Sequence, residues 1–190
     1  FVHLQPDLFL VFDRVEATSA DYNKYWLLHT MEEPEIEGTV ARIAEREGRL
    51  LVRTILPEQA TMNKVGGTGH EFDVFGNNFP PSGTHYSQQD GEEWGAWRLE
   101  VTPNEPAGEH FFLHLMLAGD TTLEQIPEAT LERGDGWIKA TFSYLEQDYS
   151  VSFATVGQAG GQIEITDRNG AIVLDQPLTD ALQPQSGIGR

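Results

Sequence analysis

The histidines, their tyrosine neighbours and a cluster of glycines are the residues of this chain whose types and spacing could do chemistry. His110 and His114 stand four apart. On a helix that spacing brings two imidazoles to one metal ion, because i and i+4 are neighbours on one face. The surrounding EHFFLHLML, 109–117, is a strand pattern, and on a strand the two rings lie ~13 Å apart at ~3.3 Å per residue. They read as two histidines on the more polar face of a strand whose other face carries Phe111, Leu113, Leu115 and Leu117. No metal ligand and no cofactor site is assigned.

His85 and Tyr86 sit beside Trp94 in PPSGTHYSQQDGEEW, 80–94, a long polar loop of the chain. Loops of about fifteen residues without internal structure tend to carry function. Histidine and tyrosine carry protons in acid–base catalysis, and an exposed indole offers a flat surface to a ligand. Adjacency in a loop gives no catalytic geometry, so the three are assigned to substrate binding and no catalytic residue is named. Arg53 or Arg98 could supply positive charge.

Gly66-Gly67-Thr68-Gly69 invites a phosphate-loop reading. A phosphate loop needs the glycines to open a helix whose N-terminus takes the anion. A short alternating stretch, 70–75, follows here, and no Gly-Lys-Ser/Thr is present. The glycines are expected to turn a corner between strands, using φ > 0. Calcium loops, nucleophile elbows and His-Glu-x-x-His helices are absent from the sequence.

The elements that must position these residues are short strands cut by Gly, Pro and Asn. Residues 8–15 are nearly continuous in hydrophobic character and predict a strand buried on both faces. Residues 24–30 read as an aromatic-rich strand, 31–38 as an acidic loop, and 39–47 as the first arm of a hairpin into the strand at 49–56. A charge-patterned helix over 39–47 is the alternative. Residues 61–65, 70–75, 96–102 and 109–117 continue the strand series, and 119–136 reads as loop. Four more strands lie between 137 and 174, with an Asn-Gly hairpin signal at 169–170. Residues 177–190 read as a loose tail. About a dozen strands without an amphipathic helix predict an all-β fold, a two-layered antiparallel β-sandwich.

Five runs, taken in order, carry a family resemblance. They are FLVFDRV (9–15), YWLLHT (25–30), EPEIEG (33–38), the stretch RTILPEQATMNKVGGTGHEFDVFGNNFPP (53–81) and GAWRLEV (95–101). The chain resembles the heparinase II/III-like polysaccharide lyases, in the β-rich part on their C-terminal side. The resemblance spans about residues 7 to 117. It implies a two-layered sandwich over 1–118 and a C-terminal β extension over 119–190, separate or part of the same unit. It further implies a parent enzyme that splits uronic-acid polysaccharides by β-elimination, and a secreted or periplasmic location. The family's catalytic tyrosine and histidine, and its structural zinc ligands, precede the point that matches Phe1, so none is carried over. A support role follows, with an N-terminal α-toroid as the missing partner domain. A free-standing β-sandwich module for carbohydrate binding or assembly is the alternative.

Composition bounds the partners. The 190 residues are 39% hydrophobic, enough for a real core. They carry 30 acidic against 12 basic residues, a net of −18, spread along both halves. Such a surface repels nucleic acid and anionic membranes, and no Lys/Arg cluster offsets it. Cysteine is absent, which rules out disulfides and thiolate metal sites. No apolar run reaches the ~18 residues of a membrane-spanning helix. The chain opens at Phe1 within an apolar run and reads as a piece of something longer, so self-association through a bare N-terminal strand edge is expected.

Overall fold

The computed structural model describes residues 1–80 and 95–178. All regular structure among them is β, arranged as antiparallel sheets in a sandwich-like fold. The chain divides into two compact units, Phe1–Ile126 and Pro127–Arg190.

The first unit has two layers. Its larger sheet is built from β1 (Val2–Leu4), β2 (Leu8–Glu16), β4 (Glu35–Glu37), β5 (Val40–Glu45), β6 (Gly48–Leu56) and β11 (Glu109–Asp120), in the spatial order β1-β2-β11-β6-β5-β4. The smaller sheet has β10 (Trp97–Pro103) between β3 (Trp26–Thr30) and β7 (Ala60–Gly66). Period-two alternation decides which side chains meet between the layers. Ala41, Ile43 and Val52 of the large sheet pack with Leu99 of the small one, and Trp26, Leu28, Met62 and Met116 close around them. This core is the physical reason the layers pair.

β11 shows why the central strands read as continuous apolar runs. Phe112, His114 and Met116 alternate with Leu113, Leu115 and Leu117 along its length. Leu113, Leu115 and Leu117 are buried as the alternation requires, with Leu8, Leu10 and Leu51 on the same face, while Phe111 is half-buried. The opposite face is not polar as expected. Phe112 and His114 are buried as well, because His114 turns toward the small sheet and stacks on Trp26 at 3.8 Å between ring centres. Beyond β11, Glu124 accepts a hydrogen bond from Arg42 Nη1 at 2.7 Å and another from Arg49 Nη1. Those bonds hold the Glu124 carboxyl below its ordinary range.

The second unit is a meander of five strands, β12 (Ala129–Gly134), β13 (Trp137–Tyr144), β14 (Gln147–Ala154), β15 (Gly161–Asp167) and β16 (Ile172–Leu178). Its last turn is the Asn-Gly hairpin. Asp167 Oδ1 accepts from the Asn169 and Ala171 amides at 2.8 and 2.9 Å, and Gly170 takes φ 76°.

Three local readings are corrected. Residues 129–134 form an edge strand, not loop, because β13 supplies the partner that a mostly polar ATLERG does not announce. Residues 35–37 pair with β5, although EPEIEG reads as an acidic loop. Residues 70–75 hold only the two-residue strand β8 (Asp73–Val74), paired with β9 (Asn77–Asn78). Trp26 joins the core, Trp97 is half-buried, and Trp137 is 38% exposed with Lys139 Nζ 5.8 Å from its ring centre.

Candidate functional site

The small sheet turns one face to the core and the other outward, and a cleft is built on that outward face. On β10, Leu99 and Val101 point inward and are fully buried, so Arg98 and Glu100 must point outward. The register brings Arg98 beside Val65 of β7, and Glu100 beside Leu27 of β3. The β8–β9 hairpin forms the other wall. The result is a cleft of about 400 Å³ lined by Tyr25, Leu27, Val65, residues 73–76 of the hairpin, Arg98 and Glu100.

Arg98 ties the two walls together. Its Nε and Nη2 reach the same oxygen, Glu100 Oε1, at 2.8 and 2.7 Å, and its Nη1 donates to the Asp73 carbonyl at 3.0 Å. Both side chains are mostly buried, so the pair is drier and stronger than a fully exposed one. The Asp73 carboxylate is engaged within the hairpin. Oδ1 accepts from the Gly76 amide at 2.9 Å, and Oδ2 lies 3.4 Å from His70 Nδ1. The described charges of the cleft thus hold one another, and none is set as an isolated acid or base.

The glycine cluster turns a corner, as the sequence implies. Gly66, Gly67 and Gly69 all take positive φ, at 148°, 82° and 81°. The Gly67 amide donates to the Ala96 carbonyl at 3.0 Å, which carries the chain from β7 toward the hairpin while keeping it against β10.

His85, Tyr86 and Trp94 lie outside the described residues. Arg98 is placed in the cleft, whereas Arg53 sits on β6 of the large sheet, beside Leu115. His110 and His114 are not brought to a common ligand. His110 Nε2 lies 3.0 Å from the Glu105 carbonyl, and His114 Nδ1 lies 3.1 Å from Thr54 Oγ1. Among the described residues no group of three His, Asp or Glu side chains could hold a metal ion. Sequence reasoning missed Tyr25, Leu27 and Phe75 as a set, because they come from distant elements. One signal was present: Phe75-Gly76 occupies a hairpin turn where Asn-Gly is the favoured pair.

Fold and site together define a class, an antiparallel β-sandwich with a polar-floored, aromatic-rimmed cleft on its smaller sheet. No protein-family model and no curated protein matches the chain. Among the described residues no helix is long and apolar enough to cross a membrane.

Proposed function

We propose that this chain is the β-sandwich support of a heparinase II/III-like polysaccharide lyase, whose full-length form splits uronic-acid glycans by β-elimination outside the cytoplasm. The observation that carries this reading is where the five resembling runs fall. They lie in β2, β3, β4, the stretch from the end of β6 through β9, and β10. These elements supply strands to both layers of the first unit. The resemblance therefore follows one connected frame. The gene tests it: several hundred codons upstream of Phe1 for a helical toroid and a His-x-His motif support the reading. An initiator just ahead of Phe1, with no such region, refutes it and leaves the free-standing carbohydrate-binding or assembly module, which the cleft favours.

The chain alone is expected not to cleave uronic-acid polymers. Elimination needs a base for the C5 proton, an acid for the leaving oxygen and a cation at the carboxylate, and losing members of such a set lowers rates by orders of magnitude. Among the described residues of the cleft, Arg98 is matched by Glu100. Heparin, heparan sulfate, alginate and ulvan should give no rise in absorbance near 230 nm. Steady turnover that disappears in His85→Ala or Tyr86→Phe would make the 80–94 loop an active site.

Self-association through the N-terminal edge belongs to the same reading. β1 is an outer strand of the large sheet, three residues long, and Phe1 beside it is 86% exposed. A bare edge carrying an apolar ring recruits a second strand. Sedimentation velocity should show concentration-dependent association that Phe1→Lys weakens; a monomer at every concentration removes this partner.

A further inference from the structure

We propose that the cleft between the outward face of the small sheet and the β8–β9 hairpin binds an uncharged pyranose unit of a glycan, with Phe75 as the stacking platform. Phe75 is the observation that asks for an explanation. The register Asp73↔Asn78 and Val74↔Asn77 leaves Phe75 and Gly76 as a two-residue turn, and both take positive φ, 50° and 80°. That is the type I′ pattern, in which the first position favours Asn or Gly and a bulky side chain is disfavoured. Folding gains little in return, because the ring is 86% exposed. A strained position that holds an apolar ring in water at the mouth of a cleft points to a ligand.

The lining selects the ligand's chemistry. Tyr25, Leu27 and Val74 are 40%, 47% and 49% exposed, and they present apolar surface around a floor formed by Arg98 and Glu100. A pyranose matches that division, with C–H groups for an aromatic face and hydroxyls for planar polar side chains. Glu100 Oε1 takes both bonds from Arg98. Its Oε2 makes no hydrogen bond with the described residues and is available to a hydroxyl donor. Charge excludes the polyanions. Arg98 is matched by Glu100, Asp73 adds a further carboxylate, and the chain as a whole carries −18. A uronate or sulfate would enter a region without an unmatched cation among its described residues.

This site goes beyond the support role and is tested without reference to the lyase reaction. The whole chain, ¹⁵N-labelled, is titrated with neutral cello-, manno-, xylo- and malto-oligosaccharides, and separately with oligogalacturonate and oligomannuronate. Neutral sugars should shift the amides of Leu27, Val65, Val74, Phe75 and Gly76. Phe75→Asn should weaken binding by about tenfold or more while raising the thermal midpoint, since Asn suits the turn. Tyr25→Ala should weaken binding without changing the fold's dispersion. Four outcomes overturn the proposal: no neutral sugar perturbs the cleft, only uronates bind, Phe75→Asn binds as the parent does, or Phe75→Asn lowers the thermal midpoint. Each is read independently of turnover at 230 nm, so the failure of one reading does not stand for the failure of the other.

Discussion

Acidifying the protein from neutral pH to about pH 4.5 should lower its unfolding free energy by roughly 2–3 kcal/mol through His114 alone. The imidazole is fully buried, and burial pushes its pKa down from 6.5 to about 3. In the fold it stays neutral, while in the unfolded chain it takes up a proton below about pH 6.5. The unfolded state therefore binds more protons throughout the window between about 6.5 and 3. Stability is complete above that window and falls progressively as the pH descends through it. Asp120, Glu124 and Asp167 act in the same direction lower down. Hydrogen bonds hold each below the usual carboxylate range, so their contributions disappear only as they protonate.

The His114 environment explains why a polar ring is tolerated there. Its ring lies on Trp26, and Nδ1 meets Thr54 Oγ1, while Nε2 has no partner. The tautomer with the proton on Nδ1 donates to the threonine and leaves only a lone pair at Nε2. The opposite tautomer would bury an unpaired N–H, the costlier choice. Replacing both partners together, His114→Phe with Thr54→Val, removes the polar pair without orphaning either half. Stability near pH 7 should change by less than about 1.5 kcal/mol, since replacing both partners of a buried hydrogen bond is close to neutral. At about pH 4.5 the variant should exceed the parent by roughly 1 kcal/mol or more. Urea unfolding at the two pH values decides the matter, and an unchanged pH slope in the variant would discard His114 as the source.

Gly66→Ala should destabilise the first unit by roughly 3 kcal/mol or more, through backbone conformation and a steric conflict together. Gly66 takes φ 148°, which side-chain-bearing residues rarely adopt. A Cβ there would press on the Ala96 carbonyl and come within 2.6 Å of Trp97 Cα. Neither is a flexible side chain, so β10 itself would have to shift. Because β10 carries Leu99 and Val101 inward and Arg98 and Glu100 outward, the damage should reach both core and cleft. Gly38→Ala separates the two causes, since Gly38 takes φ 58° with open space around it. That variant should lose only about 1 kcal/mol. Hydrogen exchange read at β7 and β10 should show lost protection in Gly66→Ala alone. Equal behaviour of the two variants would mean that the contact with β10 does not matter.

Much of the architecture is written locally in the chain. Alternation along 96–102 and the Asn-Gly pair at 169–170 specify strands and a turn, because side-chain period and positive φ are properties of a few consecutive residues. The leucine face of β11 is legible for the same reason, and so is the corner at Gly66–Gly69. The polar ATLERG strand and the short β4 were not legible. Their own side chains bury little, and only pairing with β13 and β5 makes them strands. His114 shows the same division at one residue: its place on a strand follows from period two, but its burial depends on Trp26 arriving from β3. The cleft is the furthest from the sequence. Tyr25, Phe75 and Arg98 are separated by fifty and by twenty-three positions, and the pairing of β10 with β3 and β7, together with the bond from Arg98 to the Asp73 carbonyl, brings their elements together. Residue types and local period determined the strands; which outward faces share one space was decided by strand order, which no short stretch of chain encodes.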